Sequence, residues 1–202
     1  MPDLLSALTP VVHALEDLGV RYYVGGSVAS SAHGMARASL DVDLVADLAP
    51  GHIEPLVSRL QDAYYVDRAR VEAAVRSRRS FNLIHLDTMF KVDVFVAGER
   101  PFDREALGRA CPEALGESPD APRIYVATAE DTVLAKLEWF RSGGEVSERQ
   151  WADVVGVLTL GRTTTDQAYL RRWAASLRVA DLLERALAEA GVARDWLWKS
   201  RS

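Results

Sequence analysis

The chain has 202 residues, 49% hydrophobic and 26% charged, the make-up of an ordinary globular protein long enough for one domain or two small ones. Its formal net charge of −5, from 24 basic and 29 acidic residues, argues against a surface given over to non-specific nucleic-acid binding. The single cysteine, Cys111, excludes an internal disulfide framework and a multi-cysteine zinc site. No run approaches the roughly 18 apolar residues of a membrane span. The sequence opens Met1-Pro2-Asp3 with neither a basic segment nor an apolar one, so no secretory signal and a cytoplasmic location are expected.

Residues 3–18 place Leu4, Leu8, Val11, Leu15 and Leu18 on one helical stripe, widened by Leu5 and Val12, and Gly19 supplies the stop. Val20 to Val24 is rich in β-formers and runs straight into Gly25-Gly26-Ser27, after which residues 28–33 read as a short helix. From Ser39 to Ala46 the pattern alternates, with Asp41 and Asp43 on one face and Val42 and Leu44 on the other. Pro50 and Gly51 break the chain before a helical stretch over residues 52–62, a strand at 64–66 and an arginine-rich helix over about 69–78.

Two further strands, 81–86 and 90–96, are predicted to form a hairpin across Asp87-Thr88-Met89. In the second, Lys91, Asp93 and Phe95 share a face, making Asp93 a third carboxylate held on a strand. Residues 111–123 collect three prolines and a glycine and are the expected linker, dividing the chain into domains at 1–110 and 124–202. After an extended piece at 124–127 the remainder is predicted helical. Thr128 with Asp131, and Ser147 with Gln150, have capping-box spacing, and apolar stripes through Leu137, Trp151, Trp173 and Leu183 predict a small bundle.

The residues themselves suggest a meeting of phosphate and metal. A glycine turn lets backbone approach a phosphate at a helix start, while two aspartates spaced by one residue point the same way from a strand. There is no G-x-x-x-x-G-K-[ST] and no longer glycine fingerprint, which sets aside P-loop and dinucleotide-binding readings. His13, His33, His52 and His85 have no metal-ligand spacing with one another.

Gly-Gly-Ser, an intervening stretch, Asp41-Val42-Asp43-Leu44 and the later Lys91-Val92-Asp93-Val94-Phe95-Val96 together resemble the signature of the nucleotidyltransferase superfamily, over roughly residues 20–97. Its members include DNA polymerase β, the aminoglycoside and lincosamide nucleotidyltransferases, and nucleotidyltransferase-like toxins of abortive-infection and toxin-antitoxin systems. The resemblance implies an α/β (α+β) fold, a mixed sheet flanked by helices with a C-terminal helical bundle. It implies transfer of a nucleoside monophosphate from an NTP to a hydroxyl acceptor. Asp41, Asp43 and Asp93 would be the catalytic carboxylates and would hold Mg²⁺ or Mn²⁺, while Gly25, Gly26, Ser27, Arg37 and Lys136 would meet the triphosphate.

The acceptor is left open between a small molecule, RNA and protein. The arginines from Arg68 to Arg79 read either as an RNA-binding edge or as a solvated helix face. A second reading keeps the fold without turnover, as a binding or antitoxin-like partner of another protein or of a second copy.

Overall fold

The computed structural model describes residues 2–34, 41–114 and 123–192. These form two compact units, one of Met1–Val28 with Ala38–Ala127 and the other of Ala29–Arg37 with Thr128–Ser202. Among the described residues no helix is long and apolar enough to cross a membrane.

The first unit is built on a seven-stranded mixed sheet. Its strands are β1 (Tyr22–Val24), β2 (Asp41–Ala46), β3 (Tyr64–Tyr65), β4 (Ser80–His85), β5 (Lys91–Val96), β6 (Cys111–Ala114) and β7 (Arg123–Val126), in the order β3-β4-β5-β2-β1-β7-β6. The central pair, β2 and β5, is parallel, and β1 and β4 flank it antiparallel. Alternation decides which way each strand faces: Val42, Leu44 and Ala46 of β2 and Val92, Val94 and Val96 of β5 are buried, while the residues between them are half-exposed.

Helix α1 (Pro2–Asp17) buries Ala7, Leu8, Val11 and Leu15 and packs on β2 and β5. The Tyr64 hydroxyl ties the sheet edge to α1 by donating to the Ala7 carbonyl at 2.7 Å. Helix α2 (Gly26–Ala32) opens at the glycine turn. Helix α3 (Ile53–Leu60) contacts α1, and α4 (Arg68–Ser77) packs on β4 with Val71, Ala74 and Val75 buried. Helix α5 (Pro101–Arg109), which the periodicity does not reveal, starts with proline in its first turn and buries Phe102, Ala106 and Leu107.

Two ends of the expected linker are strands: Cys111–Ala114 is β6 and Arg123 begins β7, the two pairing antiparallel from Cys111↔Val126 to Ala114↔Arg123, and the compact units divide after Ala127. Pro112 is tolerated because β6 is the exposed edge of the sheet, where a missing N–H costs no ladder bond.

The second unit contains α6 (Ala129–Ser142), α7 (Glu148–Leu160), α8 (Gln167–Ser176) and α9 (Ala180–Glu189). Thr128 and Ser147 cap α6 and α7 by accepting from the Asp131 and Gln150 amides, as the capping spacing predicts. Leu134, Leu137, Val154, Leu158, Leu170 and Leu183 are fully buried among the four helices, and Phe140 stacks against Trp151 at 5.3 Å.

Candidate active site

The half-exposed face of the central strands gathers the chemistry. Because β2 and β5 are parallel and in register, Asp41 lies opposite Lys91 and Asp43 opposite Asp93, on adjacent strands about 4.8 Å apart. Asp93 in turn faces Asn82 of β4. All three predicted carboxylates thus share one sheet face.

The glycine turn closes on the same aspartate pair. The Gly25 amide donates to the Asp43 carbonyl at 2.8 Å, extending the β1–β2 pairing by one bond. That amide is therefore spent on holding the turn. Gly26 has φ +57, and a Cβ added there would overlap the Asp43 carboxylate. Glycine is required at position 26 for both reasons: an L side chain strains that backbone, and Asp43 occupies the space the side chain would take. Ser27 follows, buried within the first turn of α2.

Lys91 is the residue that sequence reasoning placed on this face but gave no task. Its Nζ lies 2.6 Å from Asp93 Oδ2, and that hydrogen bond holds the ammonium above the usual lysine range. Desolvation opposes the rise, and the charges of Asp93, Asp41 and Asp43 all add to it. Lys91 therefore senses the whole carboxylate set. The signal was the i, i+2 spacing of a cation and an anion on one strand face.

Among the described residues no group of three or more His, Cys, Asp or Glu side chains is arranged to hold a metal ion unaided. Mg²⁺ does not demand one, since it is usually bound by one or two carboxylates with phosphate oxygens and water completing the shell. The all-oxygen donor set of Asp41, Asp43 and Asp93 suits such an ion, with the Lys91 ammonium occupying one oxygen of Asp93.

The remaining predicted residues are placed elsewhere. Arg37 lies outside the described residues. Lys136 belongs to the second unit, where its Nζ meets Asp153 Oδ2 at 2.9 Å in a buried ion pair, a partner the sequence reading missed. Nearby, the Tyr169 hydroxyl donates to Asp131 at 2.6 Å and Glu130 accepts from the Asp166 amide at 2.8 Å. Both acids are buried and engaged in joining α6 to the start of α8.

The arginine-rich segment is sorted by its contacts. Arg68 pairs with Glu54 and Glu72, and Arg78, at φ 52, donates to the Ala97 carbonyl and to Glu99. Arg70 and Arg79 instead line an open cleft of about 300 Å³ that also reaches Asp93.

No family model matches the chain, and no curated protein matches it. Solved structures do. The antibiotic-resistance factor ANT(2'')-Ia in solution aligns with a TM-score of 0.52 at 13% identity, over 90% of this chain and 94% of that one. Crystalline ANT(2'')-Ia in complex with adenylyl-2''-tobramycin gives 0.54 at 14%, over 86% and 96%. An antigenic nucleotidyltransferase-like protein from Paracoccidioides brasiliensis gives 0.52 at 16%, over 94% of each chain.

Proposed function

We propose, taking the nucleotidyltransferase fold as premise, that the chain is a metal-dependent transferase moving a nucleoside monophosphate from an NTP to a hydroxyl acceptor. The observation that carries this is the register of β2 against β5, which sets Asp43 beside Asp93 on the face that the Gly26 backbone approaches. ANT(2'')-Ia, seen with an adenylylated aminoglycoside, is of the same fold and supports the reaction class.

Asp41, Asp43 and Asp93 would hold Mg²⁺ or Mn²⁺. When bound, such an ion neutralises charge on the attacking and leaving oxygens. The remaining work belongs to the chain. Asp93 accepts the proton of the acceptor hydroxyl. The freed oxygen forms a bond to the α-phosphorus, the bond from that phosphorus to the bridging oxygen breaks, and its electron pair leaves with pyrophosphate.

Gly26 and Ser27 present backbone to the triphosphate, while Gly25 serves by fixing the turn to β2. Catalysis is then mostly positioning and charge neutralisation.

The test is pyrophosphate release from labelled NTPs with Mg²⁺, in the presence of cellular RNA and small-molecule extracts. Asp41→Asn and Asp43→Asn should each lower the rate by about 10²-fold or more. Full activity in both variants would falsify this mechanism. A wild-type chain with neither Mg²⁺-dependent NTP binding in calorimetry nor pyrophosphate release would be a binding module instead.

A further inference from the structure

The third aspartate opens onto a cleft whose walls carry the opposite charge. Along α4, Arg70, Ala73, Ala74 and Ser77 follow one another at helical spacing, and the small side chains in the middle leave room between the helix and β4. The floor continues through Ser80 and Asn82, and Asn82 lies in register with Asp93. Arg79 stands at the rim. A guanidinium, two hydroxyls, an amide and a second guanidinium therefore line one continuous hollow of about 300 Å³ that ends at the carboxylate assigned to the acceptor's proton.

Arg70 and Arg79 are available in a way that Arg68 and Arg78 are not. Arg78 turns left-handed at the end of α4, and its guanidinium is taken by the Ala97 carbonyl and Glu99; Arg68 is held by two glutamates. Arg79 follows that turn, is exposed, and its side chain makes no hydrogen bond or ion pair among the described residues. Arg70 has only a loose pairing with Asp67, at 3.5 Å with the arginine side chain 68% exposed. Such an exposed pair contributes little and yields readily to a better anion.

We propose that this cleft is the acceptor subsite and that Arg70 and Arg79 select an acceptor carrying a phosphate close to its reactive hydroxyl, the chemistry of a ribose phosphate. The proposal rests on the transfer reaction described above. Guanidinium forks grip phosphate oxygens bidentately. Ser80 and Asn82 supply neutral donors and acceptors that a sugar needs, while Ser77, whose hydroxyl donates to the Ala73 carbonyl at 2.7 Å, is left as an acceptor. A polycationic acceptor is disfavoured by the same two charges. The net negative charge of the chain is compatible with this, because recognition is confined to one hollow rather than spread over a surface.

Two sources present that chemistry, the end of an RNA strand and a small phosphorylated sugar, and the test separates them. Direct binding of ribose 5-phosphate and of a short single-stranded oligoribonucleotide is measured by calorimetry on the wild-type chain, on Arg70→Glu, on Arg79→Glu and on Arg79→Lys. Kanamycin serves as the cationic comparison. Each glutamate variant should weaken the preferred phosphate probe by about tenfold or more, with Arg79→Lys losing less. Thermal melts of the exposed variants check that they remain folded.

Tighter binding of the oligoribonucleotide assigns the RNA source, and tighter binding of ribose 5-phosphate assigns the small molecule. The proposal is overturned if neither phosphate probe binds, if kanamycin binds better than both, or if the glutamate variants bind as the wild type does. Because binding is read without turnover, an inactive chain that still binds phosphate through Arg70 and Arg79 would overturn the transfer reading alone.

Discussion

Replacing Lys136 by methionine should destabilise the second unit by about 3–5 kcal/mol, and adding Asp153→Leu should restore most of the loss. The side chains of the pair are 11% and 7% exposed, and Nζ lies 2.9 Å from Oδ2. At that distance the attraction is about 6 kcal/mol for an effective dielectric of about 20. Withdrawing each ion from water costs several kcal/mol, so the intact pair gains little over an apolar one. The large penalty belongs to the single variants, which strand one buried charge.

Urea unfolding of wild type, both single variants and the double variant closes a cycle that isolates the interaction. A Lys136→Met protein within about 1 kcal/mol of wild type, or a double variant no more stable than either single, refutes the reasoning. The same proteins separate structure from chemistry. If Lys136 also meets the triphosphate, the double variant will be stable and yet bind NTP about tenfold more weakly.

Two other outcomes follow from the first unit. Gly26→Ala places a side chain at φ +57 and against Asp43, and should cost about 1–2 kcal/mol in backbone strain alone and about 10²-fold in turnover. Gly25→Ala, whose added Cβ would meet Tyr23 at an ordinary 3.7 Å, should be much milder in the same melts and rates, and equal losses would contradict this account. Burial pushes the Tyr22 and Tyr64 phenols well above 10.0, with the Glu16 hydrogen bond adding to the rise at Tyr22. The folded chain thus keeps protons that the unfolded chain releases near pH 10, so stability is intact below that pH and declines above it. Tyrosinate absorbance should show a late step that coincides with unfolding and shrinks in Tyr64→Phe.

Local patterns carried most of the first unit. The alternation in residues 41–46 and 91–96 placed the aspartates on one face because a strand's side chains obey a period of two whatever its partners. The glycine turn was equally local, although the apposition of Gly26 to Asp43 was not. What escaped was pairing at a distance. Cys111–Ala114 looks like a linker because its proline and polar residues suit an exposed edge strand, and only β7 makes it one. Asp153 reads as one more polar residue on a helix until α7 packs on α6 and brings it to Lys136. The division of Arg68 to Arg79 into held and available guanidiniums likewise depends on Glu54, Glu72, Ala97 and Glu99, none of which a charge count can assign.

Lys91 has a consequence for how the chain is made. Three carboxylates on neighbouring strand positions repel, and the β2–β5 pair at the middle of the sheet has to close with them side by side. An ammonium opposite Asp41 and bonded to Asp93 offsets one of those three charges from within the chain. The sheet can therefore assemble without taking up an ion, unlike small metal domains whose folding waits for their metal. Under the proposed metal-dependent transfer, supply of divalent cation would govern when the protein works and leave untouched whether it folds.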